Sequence, residues 1–134
     1  MSGYFIYSFE KLEVYKSSLE LSITIRAVIN NFPAIEKYDL SKQLKRSVDS
    51  ISANLSEGAG RASNFDQAHF TNIAYASGME SINHLNLAKR LNYIKEEDYT
   101  KARLDIDKIL NQLNALYKYQ IKNKNTLKTK RLKD

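Results

Sequence analysis

The residues best suited to chemistry are Glu80 and His84, which lie four residues apart in a predicted helix. At this spacing a carboxylate and an imidazole share one helix face, where they could bind a metal together with Glu57 or Asp49. Di-iron helical bundles, however, use two Glu-x-x-His pairs and two further glutamates, and the chain has no second such pair. A side-chain hydrogen bond explains the spacing equally well, so we expect neither a metal nor another cofactor.

A denser polar group surrounds the end of the second predicted helix, where Asn54, Glu57 and Arg61 lie within two turns. Glu57 is close to a helix C-terminus, where the helix dipole disfavours a carboxylate, so we expect Arg61 to be its cationic partner. Two interpretations stay open. The group fixes the corner between two helices, or it forms a site for a small ligand or a partner protein.

The sequence lacks the usual signatures of catalysis. It contains no cysteine, which excludes disulfides, thiolate zinc sites and thiol nucleophiles. Gly58 and Gly60 lack the third glycine and the preceding strand of a dinucleotide-binding loop. No serine lies in the glycine-flanked turn of a nucleophile elbow. We therefore expect a protein that works by assembly and binding rather than as an enzyme.

The positive charge of the chain is concentrated at its C-terminus. Residues 122–134 contain six basic residues and one acidic residue, so this segment carries +5 of the net charge of +6. A polyanion such as RNA or DNA would meet this tail first. The candidate nucleic-acid contacts are Lys122, Lys124, Lys128, Lys130, Arg131 and Lys133. A solvated, frayed terminus would explain the same charges without a partner.

The spacing of the apolar residues predicts helices throughout. One proline and four glycines are too few for a β-rich fold with many tight turns. The predicted helices cover about 9–32, 39–58, 63–91 and 95–121. Short connections make consecutive helices antiparallel. We therefore predict an all-α, antiparallel up-down four-helix bundle over residues 1–121, followed by a flexible basic tail over 122–134.

Local signals mark where these helices begin and end. Pro33 ends the first helix, and Asp39 is a plausible N-cap of the second. Gly58 is expected to stop the second helix in the left-handed conformation. Ser63 and Asp66 resemble a capping box at the start of the third. In the middle of that third helix, small residues should allow a neighbouring helix to approach closely: Ala74, Ser77, Gly78 and Ser81.

The first helix carries two apolar stripes on opposite sides. One contains Leu12, Tyr15, Leu19, Ile23 and Ala27, and the other contains Leu21, Ile25, Val28 and Phe32. A surface helix needs only one such stripe, so the second must be covered by something outside the bundle. We predict that the stripe from Leu21 to Phe32 forms a homo-oligomer interface. An apolar arm of Tyr4, Phe5 and Tyr7 can dock on a neighbouring subunit.

The N-terminus gives no sign of export. Residues 1–9 have neither the basic start nor the long apolar run of a signal peptide. No stretch of the sequence approaches the roughly 20 apolar residues that span a bilayer. Together with the lack of cysteine, this predicts a cytoplasmic protein without a membrane partner.

Four segments follow a family pattern: FEKLEVYK at 9–16, FP at 32–33, QLKR at 43–46 and SISANLSEGAGR at 50–61. They resemble the bacterial 23S rRNA intervening-sequence proteins, also called four helix bundle proteins. The last segment is the most specific, being close to the family's S-I-x-x-N-I-A-E-G-x-G-R. Ala74, Ser77 and Glu80 match the following A-x-G-S-x-x-E pattern, with Ala76 in place of its glycine. The resemblance covers about residues 9–120.

This resemblance implies an antiparallel bundle that assembles as a ring, commonly a pentamer. The family takes its name from genes inside insertions of 23S rRNA. A related group, the accessory proteins of diversity-generating retroelements, forms basic pentameric barrels that bind nucleic acid and a reverse transcriptase. We therefore predict a non-enzymatic homo-oligomer, a pentamer, that binds RNA or DNA through its basic surface and tail. The alternative prediction is a protein-interaction scaffold for a partner protein.

Overall fold

The computed structural model describes residues 3–123 and contains no β-strand among them. Its helices are α1 (Glu13–Ile29), α2 (Leu40–Ala59), α3 (Asn64–Arg90) and α4 (Glu96–Lys122). Two short 3-10 turns, Ser8–Lys11 and Ala34–Glu36, precede and follow α1. No helix in the described range has an apolar stretch long enough to cross a bilayer. The predicted all-α fold with four helices is confirmed.

Neighbouring helices run antiparallel and close into a bundle. α2 packs on α3, α3 packs on α4, and α1 packs on both α2 and α4. Ser47 of α2 contacts Ser81 of α3. Three residues further along α2, Ser50 contacts Ser77, so these two helices run in opposite directions. Short connections between consecutive helices favour this topology.

One apolar core lies between the four helices, and every helix contributes to it. The largest fully buried apolar side chains are Leu21, Ile25, Leu44, Val48, Ile51, Leu85, Ile106, Ile109 and Leu113. Full burial of a side chain of this size stabilises the fold by about 1.5–3 kcal/mol. The bundle therefore has a continuous core that holds all four helices in place.

Small residues let the helices around α3 approach closely, as the sequence predicts. Ala74, Ser77, Gly78 and Ser81 are all buried. Both serines contact serines of α2. A Cβ atom on Gly78 would lie only 2.7 Å from Cδ2 of Leu110, so the glycine makes room for α4.

The sequence predicts the wrong side of α1 as the one that its own bundle leaves uncovered. Leu21, Ile25, Val28 and Phe32, the predicted oligomer interface, are buried inside the single chain. They belong to the common core of the bundle. The prediction is wrong because side chains that already pack within one chain cannot cover a second copy.

The opposite stripe of α1 faces outward instead. Leu19 is 41% exposed, Ile23 is 62% exposed, and Ala27 is exposed as well. Nearer the start of the stripe, Leu12 and Tyr15 are partly buried against the core. The helix therefore does carry apolar surface that its own bundle leaves uncovered, but on the other side.

The helix caps follow the sequence only in part. Ser63 caps α3 as predicted and accepts a hydrogen bond from the Asp66 N–H over 3.1 Å. Asp39 occupies the N-cap position of α2, but its side chain makes no capping hydrogen bond. Oε1 of Glu36 accepts from the Leu40 N–H at 3.3 Å instead. The Leu40 N–H, the first amide of α2 without a partner inside the helix, is therefore bonded by a side chain of the preceding 3-10 turn.

Gly58 does not end α2, contrary to the prediction. The helix continues through Ala59, and its C-cap residue Gly60 has an ordinary right-handed φ of −78°. Gly58 is required for space rather than for a left-handed conformation. A Cβ atom at this position would lie 2.8 Å from Cβ of Phe70 on α3.

Candidate functional site

Asn54 is hydrogen-bonded within α2 to Ser50, a residue that contacts α3. Its Nδ2 donates to the Ser50 carbonyl oxygen at 2.8 Å and to Ser50 Oγ at 2.9 Å. Ser50 Oγ also lies 2.9 Å from Ser77 Oγ on α3. The family pattern S-I-x-x-N therefore places a hydrogen-bonded polar group on the face of α2 that meets α3. This arrangement supports a structural role for Asn54.

Glu57 and Arg61 face outward from the same end of α2. Their charged atoms are 3.9 Å apart, and both side chains are about half exposed. The predicted pairing is present, but a surface ion pair of this kind contributes little to stability. The Arg61 guanidinium also lies 4.6 Å from the centre of the Phe70 ring. The exposed Arg61 and the partly buried Phe70 form a cation–π pair at the α2–α3 corner, and Asn54 is not part of it.

The spacing of Glu80 and His84 produces the contact that it predicts. His84 Nε2 lies 3.0 Å from Glu80 Oε2. Asp49 is paired elsewhere, with Arg26, and Glu57 is paired with Arg61. Within residues 3–123, no three histidine, cysteine, aspartate or glutamate side chains come together as a metal site. The described part of the chain therefore gives the metal hypothesis no third ligand.

Arg26 and Asp49 link α1 to α2 through two hydrogen bonds. Arg26 NH1 and NH2 donate to the two carboxylate oxygens of Asp49 at 2.8 and 2.7 Å. This bidentate contact, with the charges of Arg26 and Lys45, lowers the pKa of Asp49 despite partial burial of the carboxyl. The same contact raises the pKa of Arg26. The pair fixes the register of the two helices and neutralises the only acidic side chain on this stretch of α2.

A basic surface lies on the first half of α2. Lys42, Lys45 and Arg46 are exposed or partly exposed along one side of the helix. None of the three forms a salt bridge with another residue in the described range. Lys122 is exposed at the end of α4. The other candidate nucleic-acid contacts lie outside the described residues: Lys124, Lys128, Lys130, Arg131 and Lys133.

A cavity of about 390 Å³ opens at the end of the bundle that contains the α2–α3 corner. We call it the end cavity. It is lined by the turn before α1, the end of α2, the start of α3 and the end of α4: Tyr7, Ser8, Phe9, Leu12, Leu55, Ser56, Gly58, Ala59, Gly60, Asn64, Gln67, Thr71, Leu116, Tyr119 and Gln120. Glu57 and Arg61 are neighbours of this cavity along the chain, but neither lines it.

The sequence analysis does not predict the buried polar side chains that line the end cavity. Thr71 Oγ1 donates to Gln120 Oε1 at 2.7 Å between α3 and α4. Gln67 Nε2 donates to the Arg61 carbonyl oxygen at 3.1 Å. One signal could have revealed them: Gln120 continues the spacing of the apolar seam of α4 beyond Leu113. A polar residue at a seam position indicates a buried hydrogen bond or a cavity.

A solved structure is similar to this chain over most of the bundle. It is the crystal structure of a protein with unknown function from the S23 ribosomal protein family of Bacteroides thetaiotaomicron VPI-5482. The two sequences are 31% identical, the alignment covers 78% of this chain and 95% of that chain, and the TM-score is 0.72. No curated protein matches the chain.

Four antiparallel helices around one core define a small helical-bundle protein. The model of the family described as 23S rRNA-intervening sequence protein matches residues 10–115. The chain belongs to this family, and the resemblance that its motifs indicate is confirmed.

Proposed function

We propose that this protein is a non-enzymatic homo-oligomer that assembles as a ring and binds nucleic acid, RNA in particular, through basic residues. The uncovered apolar face of α1 is the observation that carries the proposal. The subunit number, five, is the one that the family resemblance implies. A cytoplasmic location belongs to the same proposal, because a chain without cysteine suits a reducing compartment.

The outward stripe of α1 supports self-association. Leu19 and Ile23 lie one helical turn apart, and Ala27 continues the same line with a small side chain. Removing apolar surface from water stabilises an interface by about 25 cal/mol for each Å² buried. A ring uses a heterologous contact, in which this face of one copy meets a different surface of the next. Each copy then buries its stripe once around the ring.

The segment before the first 3-10 turn adds further exposed apolar surface. Tyr4, Phe5, Ile6 and Tyr7 are all exposed, and the Phe5 and Tyr7 rings contact each other edge to face with centres 5.1 Å apart. Large aromatic side chains are enriched at protein interfaces because each one buries much area at a small cost in conformational entropy. This arm supports the same proposal, since it gives a neighbouring copy a second apolar contact.

Two basic surfaces support nucleic-acid binding. The first is the face of α2 formed by Lys42, Lys45 and Arg46, none of which forms a salt bridge in the described range. The second is the tail, which begins at Lys122 and carries +5. In a ring, every copy contributes both surfaces, and multivalent contact raises the apparent affinity without any new contact.

A protein-interaction scaffold is the second candidate function. The cation–π pair of the exposed Arg61 and the partly buried Phe70, beside Glu57, supports it. Arginine and aromatic side chains are the residues that most often dominate binding energy at interfaces. A partner protein bound at this corner would lose affinity on Arg61→Ala while the bundle stays folded.

Fluorescence anisotropy with a labelled single-stranded RNA tests the nucleic-acid proposal. We expect binding at about 50 mM salt that weakens steeply towards about 200 mM, because phosphate contacts release counterions. Two variants should weaken it: truncation after Asn123, and joint replacement of Lys42, Lys45 and Arg46 by alanine. Joint replacement of Lys108 and Lys118 on α4 is the control, since these exposed lysines lie on another helix face. No binding by the full-length chain at low salt would contradict the proposal.

A further inference from the structure

Among the residues that the structure describes, the lining of the end cavity contains no charged side chain. No aspartate, glutamate, lysine, arginine or histidine is among the fifteen residues that surround it. Moving an unpaired charge out of water into such a site costs several kcal/mol. The described lining therefore favours a ligand that is uncharged in the part that enters the cavity.

Three buried carboxamides line the cavity, and each has one end already engaged. Asn64 Nδ2 donates to the Asn123 carbonyl oxygen at 3.0 Å, and Gln67 Nε2 donates to the Arg61 carbonyl oxygen at 3.1 Å. Gln120 Oε1 accepts from Thr71 Oγ1 at 2.7 Å. These contacts fix the orientation of all three amide groups.

The other polar atom of each carboxamide has no hydrogen-bond partner among residues 3–123. The three side chains are 5–8% exposed, so they are more than nine-tenths buried. Asn64 Oδ1 and Gln67 Oε1 are thereby left as acceptors, and Gln120 Nε2 is left as a donor. None of these three atoms is among the fully enclosed, unpaired polar atoms of the described residues, so each is in contact with solvent. The cavity thus offers a ligand both donors and acceptors. The hydrogen bond at the other end of each carboxamide fixes the positions of these atoms.

The rest of the wall is apolar and aromatic. Tyr7, Phe9 and Tyr119 contribute rings, and Leu55 and Leu116 contribute aliphatic side chains. Aromatic side chains bind planar ligands by stacking, which contributes about 1–3 kcal/mol for each nucleic-acid base. Asparagine and glutamine read the edges of bases through paired donor and acceptor contacts.

We propose that the end cavity binds an uncharged heteroaromatic ring whose edge carries both a hydrogen-bond donor and an acceptor, the chemistry of a nucleobase. A volume of about 390 Å³ falls in the lower part of the range of small-molecule pockets, which suits a ligand of this size. The same ring can come from a free nucleoside or from an unpaired base of an RNA strand. The proposal goes beyond strand binding through basic residues and does not depend on it.

Isothermal titration calorimetry on the full-length chain separates the two sources. One arm uses adenosine, guanosine, cytidine and uridine singly, and the other uses short single-stranded RNA. Gln120→Met removes the free donor, and we expect roughly tenfold weaker binding from the loss of one hydrogen bond to the ligand. Ser56→Phe fills the cavity from its wall without altering a carboxamide, and we expect it to abolish binding. Gln112→Met, which removes a carboxamide of the same helix outside the cavity, is the matched control.

Each outcome of these titrations either supports or overturns the proposal. Nucleoside binding that both cavity variants weaken supports the proposal with a free ligand. Binding of RNA alone, weakened by both cavity variants but not by Gln112→Met, supports it with a base presented by a strand. If nothing binds at millimolar concentration, or if Gln112→Met weakens binding as much as Gln120→Met does, the proposal is overturned. RNA binding that depends only on the tail would overturn it while leaving strand binding intact.

Discussion

Gly58 lies directly against Phe70, so that a Cβ atom on the glycine would be 2.8 Å from Cβ of the phenylalanine. This contact joins the last turn of α2 to the second turn of α3 at the corner beside the end cavity. Phe70 Cβ is attached to the backbone and cannot rotate away. Gly58 is therefore fixed by the distance between two helices rather than by its backbone conformation.

We expect Gly58→Ala to lower the free energy of unfolding by about 1–3 kcal/mol, the usual cost of overpacking. Helix propensity alone would favour alanine by about 1 kcal/mol, so the sign of the effect reports the clash. Gly60→Ala is the matched control, because its Cβ would meet only the Glu57 carbonyl oxygen at 3.4 Å. Urea unfolding measures both variants. Equal stability of the two would contradict the close contact.

Asn54 and Arg61 should differ in their effect on stability. Asn54→Ala removes two hydrogen bonds to Ser50, the residue of α2 that contacts Ser77 of α3, and we expect a loss of about 1–2 kcal/mol. Arg61→Ala removes an exposed ion pair and a partly exposed cation–π contact, and we expect a loss below about 1 kcal/mol. Thermal unfolding of both variants checks this order. A larger loss of stability from Arg61→Ala than from Asn54→Ala would indicate a structural role for Arg61 as well.

The Arg26–Asp49 pair should make stability depend on pH. The pKa of Asp49 is lower in the folded state than its ordinary value of 3.8, because Arg26 holds the carboxylate. The pair therefore stabilises the fold above that value, and this contribution is lost as the pH falls through the lowered pKa. Both side chains are partly exposed, so we expect Asp49→Asn to cost only about 0.5–1 kcal/mol at neutral pH.

The cost of Asp49→Asn should shrink in acid, where the wild-type carboxyl is protonated as well. Asp105→Asn is the control, since the Lys101–Asp105 pair lies within α4 and links no helices. We expect it to cost at most about 0.5 kcal/mol. Urea unfolding at neutral pH and below pH 3.8 gives the comparison. A cost for Asp49→Asn that does not change with pH would show that the carboxylate charge contributes nothing.

The outward face of α1 should control self-association. We expect Ile23→Lys to shift the protein to smaller species, because a charge at the centre of the stripe must lose water on assembly. Ile35→Lys is the matched control: Ile35 is exposed as well but lies in the turn after α1, away from the stripe. Size-exclusion chromatography at equal concentration compares them, and circular dichroism establishes that both are folded. The same shift for both variants would place the interface elsewhere.

The sequence predicts the helices well because their periodicity is strong and their caps are local. Ser63 caps α3 through a residue three positions away, a signal that lies wholly within a short segment. No such local signal tells which side of α1 faces the core. Leu21 and Ile23 are apolar residues of nearly equal character on opposite sides of the helix, and only packing against α2 and α4 decides which one is buried.

The end cavity was missed for a similar reason. Asn64, Gln67 and Gln120 are polar and would each suit a helix surface, yet all three are buried where the ends of several elements converge. That convergence depends on the lengths of α2 and α4 and on the turn before α1. No spacing rule within one helix can reveal it. The family pattern, by contrast, is a continuous segment, so it identifies the α2–α3 corner directly from the sequence.

The mass of the wild-type protein in dilute solution tests the central claim most directly. One chain has a mass of 15.4 kDa. Sedimentation equilibrium over a range of low concentrations should give a whole-number multiple of this value, and five is the multiple that we predict. A folded protein that stays at 15.4 kDa throughout, with Leu19 and Ile23 in contact with water, would contradict the account.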